Sequence, residues 1–274
     1  MRSVASTHRI LVFDSGVGGL SVLEAIRAAI PGISVLYVAD SAFYPYGPKP
    51  EADLIARVPA LLAELCADYA PDLVVIACNT ASTVVLPETR AALPVPVVGC
   101  VPAIKPAAQL SKTRCIGLLG TPGTVRRLYT DELIRDFAAD CRVVRHGSAD
   151  LVDLAERKLA GETVSVAAVA AAIAPLFEGP VPPDVVVLAC THFPLLRDDL
   201  KAAAPVPVAW VDSGEAIARR VATLLASVPR RTAPPPDRAF VTAPEGLARL
   251  GACLRARGLA PIEAGATLRL SASA

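Results

Sequence analysis

Two ten-residue stretches, PDLVVIACNT (71–80) and PDVVVLACTH (183–192), repeat one another 112 residues apart. No other feature of the chain narrows its fold as much. Six of the first eight positions are identical and the other two exchange one aliphatic residue for another. Each stretch opens on Pro-Asp, continues as an unbroken apolar run rich in β-branched residues, and closes on Ala-Cys before turning polar. An apolar run without alternation belongs to a strand covered on both faces, the condition of strands in parallel sheets. An offset close to one domain length points to two similar halves. The same scheme recurs in RILVF (9–13), SVLYVAD (34–40), VPVVGC (95–100), CIGLLG (115–120) and PVAWV (207–211), with Ala/Leu/Arg-rich helical segments between them. The expected fold is α/β, with two pseudo-symmetric parallel-sheet domains and an active site in the cleft between them. After the Pro-rich connector RRTAPPPDR (230–238), the last unit, AFVTAPEGLARLGACLRARG, reads strand, turn, helix.

Composition fits this reading and excludes others. A chain of 274 residues suffices for one large domain or two of ordinary size. Its 53% hydrophobic and 19% charged residues rule out a disordered chain. With 27 basic and 26 acidic residues, the net charge of +1 offers no broad surface for nucleic acid. The opening MRSVASTHRILVF has no apolar run before His8 and is expected to be no secretory signal. VAAVAAAIAPLF (166–177) is too short to span a bilayer and contains Pro175, so it reads as a core helix. A cytoplasmic protein without nucleic-acid or membrane partners is expected. The seven cysteines (66, 78, 100, 115, 141, 190, 253) are odd in number and lack C-x-x-C spacing. They should be free thiols, with neither a disulfide framework nor a metal site.

Taken alone, VVIACNTAS makes Cys78 a small hydrophobe at the end of a buried strand. Its counterpart Cys190 changes the odds, because a core role does not require two cysteines at equivalent strand ends. In open parallel sheets, ligands bind beyond the carboxyl ends of the strands. Thiols facing one another across a cleft could act on opposite faces of a bound carbon, one removing a proton and the other returning one. An unperturbed thiol has a pKa of about 8.5 and is mostly protonated at neutral pH, so each needs help to act as a base. His192 lies two residues after Cys190, and an acidic residue near Cys78 could serve likewise.

FDSGVGG (13–19) follows the first strand and opens a helix. Its glycines and the helix N-terminus suit an anion, a carboxylate being the plausible guest, while Asp14 could equally be a helix cap. It is neither the dinucleotide fingerprint nor a P-loop. YPYG (44–47) offers a Pro-fixed turn, the phenol of Tyr46 and the unhindered backbone of Gly47. GTPGT (120–124) could present hydroxyls and amides to a ligand. DSG recurs at 212–214, where it reads mainly as a helix start capped by Asp212 or Ser213.

FDSGVGGLSVL, YPYGPK, ACNTAS, GTPGT and ACTHFPLL, in this order and spacing, resemble the glutamate racemases of the aspartate/glutamate racemase family. The resemblance runs from Ile10 to about Val221 and is weak over the last fifty or so residues. Aspartate racemases share the paired cysteines but typically follow the second with Thr-Glu, whereas Thr191-His192-Phe193-Pro194 stands here. The resemblance implies a cofactor-independent racemase that makes D-glutamate for peptidoglycan. It implies residues 1–98 and 213–274 as one domain and 99–212 as the other. By the same match Cys78 and Cys190 are the proton donor/acceptors, assisted by Asp14 and His192. Substrate contacts fall to Asp14, Ser15, Tyr46, Gly47, Asn79, Thr80, Thr191 and His192. Glu156 in DLVDLAERK is a looser candidate. Two departures stand out: Ala189 where Gly is common, and ADSAFYPYG where GDTARVPYG is usual.

Other readings stay open. Racemisation of aspartate or a hydantoin, or isomerisation of a diacid, would use the same machinery. An amino-acid binding module would use the DSG and CNT donors but has no need of two opposed thiols. A redox role fits poorly with cysteines in separate halves. Of the five lysines (49, 105, 112, 158, 201), only Lys49 falls in a motif that carries the resemblance, at the end of YPYGPK, and none adjoins either cysteine, so pyridoxal phosphate has no clear anchor. A homodimer is left open.

Overall fold

The computed structural model describes residues 8–233, 235–260 and 262–264. Most of the opening segment that was expected to be no secretory signal lies outside them. The chain forms two compact units, one built from residues up to Cys100 and from Gly214 onward, the other spanning Val101–Ser213.

The first unit contains β1 (Arg9–Asp14), α1 (Leu20–Ala29), β2 (Ser34–Ala39), α2 (Glu51–Tyr69), β3 (Leu73–Ile76), α3 (Asn79–Ala92) and β4 (Val97–Gly99). The second contains α4 (Ile104–Leu110), β5 (Cys115–Gly120), α5 (Leu128–Phe137), β6 (Arg142–Gly147), α6 (Asp150–Leu159), α7 (Val166–Ile173), β7 (Val185–Ala189), α8 (Arg197–Ala203) and β8 (Ala209–Val211). The chain then returns to the first unit with α9 (Gly214–Leu225), β9 (Arg238–Val241), α10 (Pro244–Ala256) and β10 (Ile262–Ala264).

All strand pairings are parallel. The first sheet has the order β10-β9-β2-β1-β3-β4 and the second β6-β5-β7-β8. The strands are apolar on both faces because each sheet is covered on both. In the first unit Leu11, Phe13, Leu36, Val38, Val74 and Ile76 share a core with the apolar faces of α2 and α3. The alternate residues Ile10, Val12, Val35, Tyr37 and Val75 are equally buried and point to the other face. There α1 packs on α9. In the second unit Val186 and Leu188 join the core of α6, α7 and α8, while Val185, Val187 and Ala189 face α4. The stretch VAAVAAAIAPLF is α7, which Pro175 turns into a short 3-10 segment at Ala174–Leu176.

The chain crosses between units at 100/101 and 213/214, against the 98/99 and 212/213 that the resemblance implies. Hydrogen bonding explains the offset. Gly99 still pairs with Ile76, and the Cys100 N–H donates to the Ile76 carbonyl at 3.1 Å.

Both sheets share one topology. From its first strand (β1 or β5) the chain moves to one side, to β2 or β6, then crosses to the other, to β3 or β7. The point of reversal therefore lies between β1 and β3 in one unit and between β5 and β7 in the other. This is where open α/β sheets leave a crevice at their carboxyl edge.

Candidate active site

In the first unit Cys78 follows β3 by two residues and stands as N-cap of α3, with extended backbone angles. The turn to the helix places Cys78 at the carboxyl end of β3, beside the reversal point, and the apolar run before it is wholly buried. Cys78 itself is 6% exposed and also belongs to the core cluster. Its position at the start of a fourteen-residue helix favours the thiolate electrostatically. The Ser15 hydroxyl lies 3.8 Å from its Sγ. Asn79 and Thr80 form the first turn of α3, both buried. The Asn79 amide donates to the Cys100 carbonyl at 3.1 Å.

Asp14 ends β1 and is fully buried. Its Oδ2 accepts the Gly19 N–H at 3.0 Å, so the FDSGVGG loop closes on its own carboxylate. The loop needs glycine at that point. A Cβ on Gly19 would sit 2.9 Å from the Asp14 Cβ and 3.0 Å from the Ala77 Cβ, the residue before Cys78. Asp14 is thus held beside the segment that carries the thiol.

Tyr46 and Gly47 behave differently from one another. Tyr46 is 1% exposed, and its hydroxyl donates to Asp40 Oδ2 at 2.6 Å. Asp40, at the end of β2, also accepts from the Arg57 guanidinium (2.7 Å at each oxygen) and from the Thr242 hydroxyl at 2.7 Å. Burial, and then the adjacent Asp40 carboxylate, push the Tyr46 phenol well above its ordinary range, so it stays a donor to Asp40. Its phenol is committed within the protein, whereas Gly47 is half-buried. Asp40 and Arg57 stand outside the candidate site residues read from the sequence. The signal was present in VAD, which ends its strand on Asp as VFD does.

In the second unit Cys190 follows β7 directly and is 5% exposed. His192 Nδ1 lies 3.7 Å from its Sγ, and His192 Nε2 lies 2.9 Å from Glu156 Oε1 on α6. With Nε2 donating to the carboxylate, Nδ1 presents a lone pair to the thiol. The imidazole can then take the Cys190 proton while Glu156 stabilises the resulting charge. Glu156 thus moves from a loose match to a bonded partner. Thr191, between Cys190 and His192 in sequence, is buried.

GTPGT folds onto itself. The Thr121 and Thr124 hydroxyls are 2.9 Å apart, and Thr124 is fully buried. At DSG (212–214), α9 begins at Gly214, as the helix start requires. The Ser213 hydroxyl donates to the Val101 carbonyl at 2.5 Å, and the Asp212 carboxylate accepts from Arg197. Among the described residues, no three His, Cys, Asp or Glu side chains gather as a metal-binding group, and no helix is long and apolar enough to cross a membrane.

The sequence of this chain matches the family described as Asp/Glu/Hydantoin racemase over residues 11–221. The chain belongs to that family. Among individual relatives, the glutamate racemase of Sodalis glossinidius (strain morsitans) is 45% identical over 259 residues, 92% of this chain and 89% of that one. The glutamate racemase of Shewanella sp. (strain MR-7) is 54% identical over 217 residues, 79% of each chain. The crystal structure of Escherichia coli glutamate racemase, in complex with L-glutamate and the activator UDP-MurNAc-ala, superposes with a TM-score of 0.89. It shares 46% identity and covers 94% of this chain and 98% of that one.

Proposed function

We infer that this protein interconverts L- and D-glutamate by proton transfer at Cα, with Cys78 and Cys190 as the two proton carriers. The observation that carries the reading is the equivalence of the thiols. Each ends the strand beside the first strand of its own sheet, at the reversal point, and each has polar groups within reach of its sulfur. Inversion of a carbon needs a base on one face and an acid on the other, and two thiols meet that need without a covalent intermediate. In this reading His192, backed by Glu156, assists Cys190. Asp14, Ser15 and the N-terminus of α3 assist Cys78. Asn79, Thr80, Thr191 and the backbone at Tyr46 and Gly47 hold the amino acid.

D-Glutamate made in this way would supply peptidoglycan synthesis in the cytoplasm, a compartment that suits seven free cysteines. A homodimer is an open part of this reading, and a light-scattering mass of one chain would remove that part alone.

The test is isotopic. In D₂O, L-glutamate should be converted to D-glutamate carrying deuterium at Cα, with carbonyl-trapping reagents having no effect. Unlabelled product, or inhibition by such reagents, sinks the mechanism. Cys78→Ala and Cys190→Ala should each lower kcat by about 10³-fold or more with unchanged circular dichroism. A panel of aspartate, hydantoins and diacids run alongside decides whether glutamate is the substrate.

A further inference from the structure

We propose that Ser82 is the positioning residue for Cys78, closing the strand-to-helix turn that carries the thiol. The proposal rests on the catalytic reading of Cys78 given above. Ser82 lies four residues after the cysteine and is 1% exposed. Its side chain and its backbone grip the turn at two points. The Ser82 hydroxyl donates to the Ile76 carbonyl at 3.0 Å, two residues before the cysteine. The Ser82 N–H donates to the Cys78 carbonyl at 2.9 Å. Ile76, Ala77 and Cys78 are thereby closed into a ring whose only side-chain link is one hydroxyl.

The same oxygen reaches sideways. It accepts the Cys100 N–H at 2.8 Å, and that N–H also lies 3.1 Å from the Ile76 carbonyl. Three groups thus meet at one corner: the end of β3, the end of β4 and the first turn of α3. The Asn79 amide bonds to the Cys100 carbonyl, so both polar groups of the Cys100 backbone are held by side chains from that first turn. A thiol whose backbone is held in this way needs less reorganisation to reach a substrate proton.

The second thiol lacks this device. One repeat length after Ser82 stands Pro194, which has neither hydroxyl nor N–H. The Cys190 carbonyl instead accepts from the Phe193 N–H at 3.1 Å, in a tighter 3-10 turn. Loss of the Ser82 hydroxyl should therefore slow the proton transfer at Cys78 and spare the one at Cys190.

The experiment uses the full-length chain with Ser82→Ala and Ser82→Thr. Alanine is a better helix former and removes only the hydroxyl, and threonine restores it. With Ser82→Ala, kcat should fall about 10- to 100-fold. The α-deuterium isotope effect should rise with the glutamate enantiomer that Cys78 deprotonates and fall with the other. Iodoacetamide labelling, read residue by residue by mass spectrometry, should change by about 5-fold or more at Cys78 while Cys190 stays within about 2-fold. Ser82→Thr should recover most of each quantity.

A purely structural role would lower the folded fraction and leave both isotope effects and both labelling rates of the folded protein unchanged; that result overturns the proposal. So does Ser82→Ala with wild-type turnover and labelling. Altered Cys78 labelling with wild-type turnover would support the hold of Ser82 on the thiol and refute the catalytic reading of Cys78, separating the two.

Discussion

At the scale of residues, the two thiols are prepared by different means. Cys78 leans on a helix N-terminus and a neighbouring hydroxyl, Cys190 on an imidazole with a carboxylate behind it. A two-way reaction tolerates this, because each thiol must be a base for one enantiomer and an acid for the other. The chain from Cys190 through His192 to Glu156 makes a prediction of its own. Glu156→Gln keeps the side chain's length and its bond to Nε2 but removes the charge that stabilises a protonated imidazole. We expect kcat to fall about 10- to 100-fold with little change in KM. The isotope effect should rise for the enantiomer that Cys190 deprotonates, the opposite bias to that of Ser82→Ala. Steady-state rates with both enantiomers, unlabelled and α-deuterated, check this: kcat/KM must fall equally in the two directions, and isotope effects that stay equal to each other would reject it.

At the scale of elements, the residues of the repeat divide by function. Its cysteine ends each strand at the carboxyl edge, while its aspartate begins each strand at the amino edge and fastens the neighbouring chain. Asp72 accepts the Arg9 N–H at 2.7 Å and pairs with Arg231. Asp184 accepts from the Ser111 hydroxyl at 2.6 Å and from the Lys112 and Thr113 amides at 2.7 and 3.0 Å. Burial pulls the Asp184 carboxyl upward, but these hydrogen bonds outweigh it and hold the pKa at about 2. The native state therefore binds its proton less readily than the unfolded chain, whose value is about 3.9. The stabilisation is complete above that value and is lost as pH falls through about 2. Asp184→Asn should cost about 1 kcal/mol at neutral pH. Urea titrations should show the gap to wild type narrowing below about pH 4.

Much of this organisation was legible in the sequence. Unbroken apolar runs announced β1, β2, β3, β5 and β7, because strands covered on both faces carry no polar alternation to hide them. The repeat announced both thiols. β6 was missed: RVVRHG is an edge strand with arginines at positions that need no cover, so its pattern is weak. Glu156 was visible only as a loose match, since its contact with His192 spans 36 residues and depends on how α6 packs. Tyr46 invited a reading as a substrate donor, and only the fold shows its hydroxyl spent on Asp40. Ser82 stood within the quoted motif, but the partners that explain it, Ile76 and Cys100, come from two strand ends.

At the scale of the whole molecule, the second unit has the connectivity of an insertion. It is continuous in sequence, Val101–Ser213, whereas the first unit is assembled from the chain before it and the chain after it. Its two ends meet, for the Ser213 hydroxyl donates to the Val101 carbonyl at 2.5 Å. Adjacent termini are what allow one domain to be placed within a loop of another without disturbing either. The second unit also has its own sheet, with a separate apolar cluster on each face. The first unit keeps its β9 and β2 ladder and its α1–α9 packing after the return. Each should therefore fold without the other. A chain of residues 101–213 should show one cooperative thermal transition, as should a chain in which residue 100 is joined to residue 214 by about three glycines. Each would keep only one of Cys78 and Cys190, so neither should racemise glutamate or wash deuterium into it. Scanning calorimetry and exchange in D₂O read the two outcomes independently. A fragment without a transition would show that the units depend on one another for stability, and a fragment that racemised would end the case for two thiols.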